Sequence, residues 1–453
     1  MSKSPKLKEK IAWGIGGMPE VFYVWGVQQL IYPIYNIALG LSPALIGIVI
    51  GIRTLWDAFT DPFMGHLSDR LRTRWGRRKP FMLVGIFASA FAFVAVWWAP
   101  AALPTSALFS YLLVSLLIFT TASTIYFVPY LALGYELTDD FNGRTALQAY
   151  RFAFMKIGSF AVPWLYFITQ LDIFESTIAG MRALAIGAAC LFLVSGLCAT
   201  LFVKEDQSRT IKRNKIGFMT VLKQVGTNKT VLHFLTIILL LGQGVQIVNS
   251  LSLYVIIYYI FDGDKQSAAA LYATGNSVYF IASFLAIPAT AWLAKRIGKV
   301  RTFQISCAIV CVASLSKFFF FSPTMPLLIF IVYLMMAPGM SGFNLLRASM
   351  VADLVDEDQF QHGERREGVI AAIDQWSFKV TAALALMLTG LILQLSGFDA
   401  SAGAQTEAVT TRLRIMFSVI PAVGAAMSFL IAITYPLTER RMNEIRAHGD
   451  IKV

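Results

Sequence analysis

Twelve predominantly apolar stretches follow one another along the chain, separated by short polar segments. They fall at residues 11–39, 43–68, 80–100, 104–135, 146–170, 180–203, 231–261, 267–293, 302–321, 325–354, 369–396 and 409–435. About 20 residues of α-helix cross a bilayer, so each stretch suffices. Hydrocarbon offers no water to a peptide group, and a crossing segment must therefore close its hydrogen bonds within itself, as a helix does. The pattern predicts an all-α membrane protein. A soluble globule is excluded on composition, because only 14% of residues are charged against roughly 25% in soluble domains.

The net charge of +12 invites a nucleic-acid partner, but its placement argues against one. Of the 38 Lys and Arg, 28 lie on one set of alternate loops and the termini, among them six in "DRLRTRWGRRKP" and seven between Lys204 and Lys229. The opposite loops hold Arg182, Lys265, Arg412 and Arg414. This asymmetry is the positive-inside pattern, and it predicts both termini on the cytoplasmic side of the membrane. The basic start "MSKSPKLKEK" leads into an apolar run without a small-residue cleavage site, which reads as a retained first helix.

Other chemistry finds no support. Cys190, Cys198, Cys307 and Cys311 sit in apolar runs without a CxxC pair, and His66, His233, His362 and His448 have no metal-ligand spacing. No nucleophile–base constellation is present, so neither an enzyme nor a bound cofactor is expected. "GIGG" at Gly14–Gly17 does not follow a strand, and reads as a close helix contact rather than a dinucleotide turn.

The chain divides in the middle. Residues 204–230 are polar and basic, and separate an N-terminal six-helix bundle (1–203) from a C-terminal bundle with a cytoplasmic tail (231–453). The halves echo each other. "GHLSDRLRTRWGRRKP" follows the second span and "AWLAKRIGKVRT" the eighth; "GYELTDDFNGRT" follows the fourth and "VADLVDEDQFQHGERREG" the tenth. Parallel six-helix repeats with a substrate site near mid-membrane are a transporter architecture.

Within the spans, "IRTLWDAFTDP" carries Arg53, Asp57 and Asp61. Each charge at mid-membrane costs about 2.5–3.5 kcal/mol on insertion scales, and such groups mark ion or substrate paths. At four-residue spacing the two carboxylates share one helix face, and Arg53 lies one turn before them. Carboxylate oxygens suit Na⁺, and a buried pair can also carry a proton.

The segments "TLWDAFTDPFMGHLSDRLRTRWGRRKP", "PYLALGYELTDDFNGRTALQAYR" and "ADLVDEDQFQHGERREG" resemble, in order, those of the glycoside–pentoside–hexuronide:cation symporters, a branch of the major facilitator superfamily. The resemblance implies the superfamily's fold, twelve transmembrane helices in two pseudo-symmetric six-helix bundles, and cation-coupled uptake of a sugar by alternating access. It implies a cation site at Asp57 and Asp61 for co-transported Na⁺ or H⁺, to which the Thr60 hydroxyl can add an oxygen. Phe127 stands where a sugar permease of the family carries a further acid. Glu20 and Arg151 match sugar-binding positions, with Pro19 where a lysine would be.

On the eleventh span, Lys379 matches a family lysine and Gln375 a pocket position, beside Asp374 and Trp376. Asn344 falls where a sugar-stacking tryptophan is found, so Trp376, Tyr126 or Tyr130 is expected to replace that platform. Arg151 and Lys379 point to an acidic sugar, a hexuronide or a sulfonated hexose. An Arg151–Glu20 ion pair is compatible with this role. Gating salt bridges are expected among Arg53, Asp69, Arg70, Arg77, Arg78, Glu136, Asp139 and Arg144 in one half, and Asp353, Asp356, Arg365 and Arg366 in the other. A lysolipid transporter on the same frame and a passive uniporter are the alternatives. The expected partners are a small-molecule sugar and membrane lipid, with the monomer as the working unit.

Overall fold

The computed structural model describes residues 6–70, 73–100, 102–138, 141–205, 228–362, 367–400 and 402–448, which contain helices and no strand. Helix α1 runs over residues 7–38 as Leu7–Ile15, Met18–Val21 and Val27–Tyr32, with π-helical turns at Phe22–Gly26 and Pro33–Ala38. There follow α2 (Pro43–Arg70), α3 (Lys79–Trp97), α4 (Thr105–Glu136), α5 (Phe141–Thr169) and α6 (Thr177–Phe202). The second half holds α7 (Lys229–Val255, continued as a π turn at Ile256–Ile260), α8 (Lys265–Ile297) and α9 (Lys299–Phe320). It continues with α10 (Ile329–His362), α11 (Glu367–Ser396), α12 (Glu407–Ile433) and a short α13 (Glu439–His448). Among the described residues, eleven helices are long and apolar enough to cross a membrane. The first span is the twelfth, and its π turns interrupt it.

Polar side chains set the helix starts. Ser176, Asn228, Asp264 and Thr406 each accept a backbone N–H of the first turn that begins beyond them. Prolines inside the helices (Pro62, Pro129, Pro163, Pro288, Pro338, Pro421) are the kind membrane helices tolerate, since neighbouring helices and hydroxyls re-satisfy the backbone.

The chain forms two compact units, Met1–Lys212 and Arg213–Val453. In the first, the most extensive helix pairings are α3 with α4, α3 with α6, α2 with α4, α1 with α5 and α1 with α6. In the second they are α9 with α10, α9 with α12, α8 with α10, α7 with α11 and α7 with α12. Each pairing recurs six helices later, so the repeat seen in the loops extends to the packing inside each unit. Small residues permit these approaches: a Cβ on Gly85 of α3 would stand 2.5 Å from the Tyr126 backbone N of α4, and one on Gly424 of α12 would stand 2.5 Å from the Leu240 carbonyl of α7.

The "GIGG" segment is explained in the same way. A Cβ on Gly16 would stand 2.4 Å from that of Ala199, and one on Gly17 would stand 2.9 Å from Arg151 Cγ. The backbone of α1 is thereby held close to α5 and α6.

Candidate functional site

The charged stretch of α2 lies against α1 and α4. Asp57 is buried, and the Tyr23 hydroxyl of α1 donates to its Oδ1 at 2.7 Å. Thr124 of α4, also buried, donates to Asp61 Oδ1 at 3.2 Å. Thr60 turns its hydroxyl back to the Asp57 carbonyl at 3.3 Å. Arg53 donates from Nε to Thr120 Oγ1 (3.0 Å) and from Nη2 to the Tyr23 carbonyl (3.2 Å), and its guanidinium lies 4.7 Å above the Tyr23 ring. Two carboxylates and one guanidinium thus share a small polar island, with hydroxyls from two other helices bonded to the acids. Phe127 lies beside this island with its ring centre 5.9 Å from that of Tyr23.

Tyr23 and Thr124 were not singled out in the sequence. Thr124 had a local signal, the small hydroxyl cluster "TTAST" in an apolar helix. Tyr23 had none, because the π turn at Phe22–Gly26 sets its direction, and π turns occur frequently at functional sites.

Three residues before Tyr23, Glu20 pairs with Arg151 of α5, and Arg151 also donates to Gln148 Oε1 at 3.3 Å. Both partners are largely buried, so Arg151 carries its counter-charge with it. Tyr126 and Tyr130 are fully buried in a clasp between α1 and α4. Tyr130 stacks on Trp13 (5.3 Å) and on Tyr126 (5.5 Å), while their hydroxyls donate to the Trp13 and Gly16 carbonyls. In this structure they pack helices and present no face to a sugar.

In the second unit, Asp374 of α11 receives Nε and Nη2 of Arg347 of α10 at 2.8 and 2.9 Å, the two-pronged geometry that guanidinium favours. Arg347 also lies 5.2 Å above the Phe378 ring. Its direction cannot be taken from one sequence, and the structure supplies it. Gln375, Trp376 and Lys379 on α11 are exposed, with Trp376 at 43%. Asn344 donates back to the Met340 carbonyl of its own helix at 2.9 Å.

The loop clusters resolve into braces within each unit. Glu136, at the end of α4 with a side chain 4% exposed, accepts Arg77 Nη2 at 3.2 Å and Arg78 Nε and Nη2 at 3.0 and 2.6 Å. Arg78 also reaches Asp69 at 3.1 Å, while Arg70 is exposed at the end of α2. Glu205, just beyond α6, was missed. Its carboxylate accepts the backbone N–H groups of Arg77, Arg78 and Lys79 and so closes the start of α3. In the other unit, Lys299 donates to both oxygens of buried Asp353 at 2.7 Å, and Arg441 of α13 reaches Glu357 at 3.9 Å. Asp356 is half-buried on the same helix. Asp139, Arg365, Arg366 and the Arg144 side chain lie outside the described residues.

The family model described as MFS/sugar transport protein matches residues 12–439. The chain is 25% identical to the putative glycoside/cation symporter YagG of Escherichia coli (strain K12), over 97% of this chain and 94% of that protein. It is also 25% identical to the isoprimeverose transporter of Lactiplantibacillus pentosus, over 88% and 82% of the two chains. A more distant relative, the sodium-dependent lysophosphatidylcholine symporter 1-A of Danio rerio, is 23% identical over 97% and 89%. Among solved structures, a bacterial homologue of the lysosomal transporter Spinster is similar with a TM-score of 0.69 at 14% identity, over 95% of this chain and 96% of that one.

Proposed function

The chain belongs to the MFS/sugar transport protein family, a family of multi-pass membrane transporters and not of enzymes, and we propose that it couples uptake of a glycoside to the movement of a cation through Asp57 and Asp61. One observation carries this reading. Two intramembrane carboxylates, each holding a hydroxyl from another helix, adjoin α1, whose Glu20 pairs with Arg151 of α5. Cation and sugar would then meet groups on one short stretch of α1 and α2. Ions and substrates that favour the same state raise each other's affinity by the same factor. Alternating access supplies the release step, with both termini on the basic, cytoplasmic side of the inner membrane.

Glu20–Arg151 and Arg347–Asp374 are candidate sugar anchors, since a guanidinium–carboxylate pair offers donors and acceptors to vicinal hydroxyls together. Because both arginines carry a carboxylate partner, neutral glycosides belong in any substrate screen beside hexuronides and sulfonated hexoses. The similarity to a lysophosphatidylcholine symporter supports one further reading, a lipid cargo on the same frame.

Uptake into proteoliposomes under imposed Na⁺ or H⁺ gradients tests the coupling. Asp57→Asn and Asp61→Asn are expected to abolish gradient-driven accumulation. Accumulation at the wild-type level in either variant would remove that residue from the cation site. A thermal-shift screen of isoprimeverose, methyl β-D-glucuronide, a sulfonated hexose and lysophosphatidylcholine, with and without Na⁺, identifies the cargo class, because a ligand of the native state raises stability.

A further inference from the structure

Tyr23 touches the proposed ion group and belongs to the proposed sugar helix. Its ring is gripped: Arg53 lies 4.7 Å above it, and Phe119 and Phe127 stand with ring centres 5.6 and 5.9 Å away. The Arg53 guanidinium is itself fixed to Thr120 and to the Tyr23 carbonyl. A ring held in this way keeps its phenolic oxygen in place, while the hydroxyl hydrogen can still swing between its two positions in the ring plane. In this structure that hydrogen points at Asp57 Oδ1, over 2.7 Å.

We propose that Tyr23 is the positioning residue that transmits ion occupancy of Asp57 to the sugar site; this rests on the symport reading above. A cation at Asp57 takes up carboxylate lone pairs and repels an O–H hydrogen aimed at the same oxygens. The hydroxyl must then turn its oxygen to the ion and its hydrogen away, toward another acceptor. Glu20 stands three residues earlier on the same helix, and a sugar bound beside the Glu20–Arg151 pair would offer that acceptor. Ion binding thereby creates a donor for the sugar without moving the ring. Phe127 sharpens the role, because no acid stands at that position to link the two sites directly.

The test measures the affinity of purified protein for isoprimeverose and for methyl β-D-glucuronide, with and without saturating Na⁺, and separately at two proton concentrations. Coupling between sites is typically about 5–150-fold, and in Tyr23→Phe the ion-induced gain is expected to fall below about twofold, with ion-free affinity near that of wild type. Ion binding itself, followed by tryptophan fluorescence without sugar, should weaken with loss of the tyrosine oxygen but still saturate in this variant, since Asp57 and Asp61 remain. A merely structural tyrosine would lower both affinities together. An unchanged ion-induced gain in Tyr23→Phe, alongside its loss in Asp57→Asn, would overturn the proposal and leave the symport reading intact. A full gain in Asp57→Asn, or no binding of either sugar by wild type, would overturn the reading and the proposal together. Should Tyr23→Phe fail to fold, Phe127→Leu frees the ring while keeping its hydroxyl. A reduced gain there supports the proposal, and a wild-type gain overturns it.

Discussion

Replacing Glu136 by Gln strikes a buried acid of the first unit that two arginines share. Its carboxylate receives three hydrogen bonds from two arginines, and its side chain is 4% exposed. Arg78 is equally buried, so solvent cannot take over when the counter-charge is removed. Breaking a buried pair by removing one partner costs about 3–5 kcal/mol. Here Asp69 remains on Arg78 at 3.1 Å, Glu205 remains on Arg77 at 4.0 Å, and the amide oxygen still accepts one bond. The expected loss is therefore about 2–3 kcal/mol. At about 2–4 °C per kcal/mol for a unit of this size, the melting temperature should fall by roughly 4–12 °C. Intrinsic tryptophan fluorescence during heating in detergent measures it. Arg440→Ala is the control, since the Arg440–Glu444 pair is exposed, with Arg440 at 92%, and should contribute about 0.3–0.5 kcal/mol. If Glu136→Gln melted no lower than that control, the cluster would be an orientation signal and no brace, and the burial argument would fail.

Two further predictions follow from local geometry. Gly76 adopts φ +108 and a Cβ there would lie 2.1 Å from Glu205 Oε2, so Gly76→Ala should destabilise the protein by more than about 1 kcal/mol, read as a lower melting temperature; adding Glu205→Ala should not restore wild-type stability, because the backbone strain persists. For Arg347 and Asp374, the single variants Arg347→Gln and Asp374→Asn should each lower the melting temperature, and the double variant should lose less than their sum by about 0.5–3 kcal/mol. Strict additivity would deny that they act as a unit.

The spans were legible because hydropathy alone dictates them, and the matching loops disclosed the repeat that the helix pairings of each unit share. The π turns of α1 were not legible, since they change the count per turn without changing composition. Asp57 and Asp61 stood out because charge in an apolar run is costly wherever it points. Their hydroxyl partners did not, because a tyrosine or threonine in a membrane helix carries no such cost. Arg347 and Asp374 lie 27 residues apart on different helices, and only the packing of α10 on α11 shows that they meet. Glu205 lay at the edge of a segment read as linker, although an acid directly after a span and near a basic turn is a usable signal. The expectation that Tyr126 or Tyr130 replaces a sugar platform meets a different arrangement, in which both rings are sealed between α1 and α4.

The wide turn at Phe22–Gly26 also bears on how relatives are read. A π turn holds one residue more than an α turn, and each residue carries a helix round by about 100°. In a relative without the extra residue, a gap-free alignment of this helix would keep letters paired while their side chains faced different directions. At 25% identity few letters exist to place the missing gap. Roles should therefore be transferred separately on each side of this turn, with Glu20 anchoring one alignment frame and Gln28 the other.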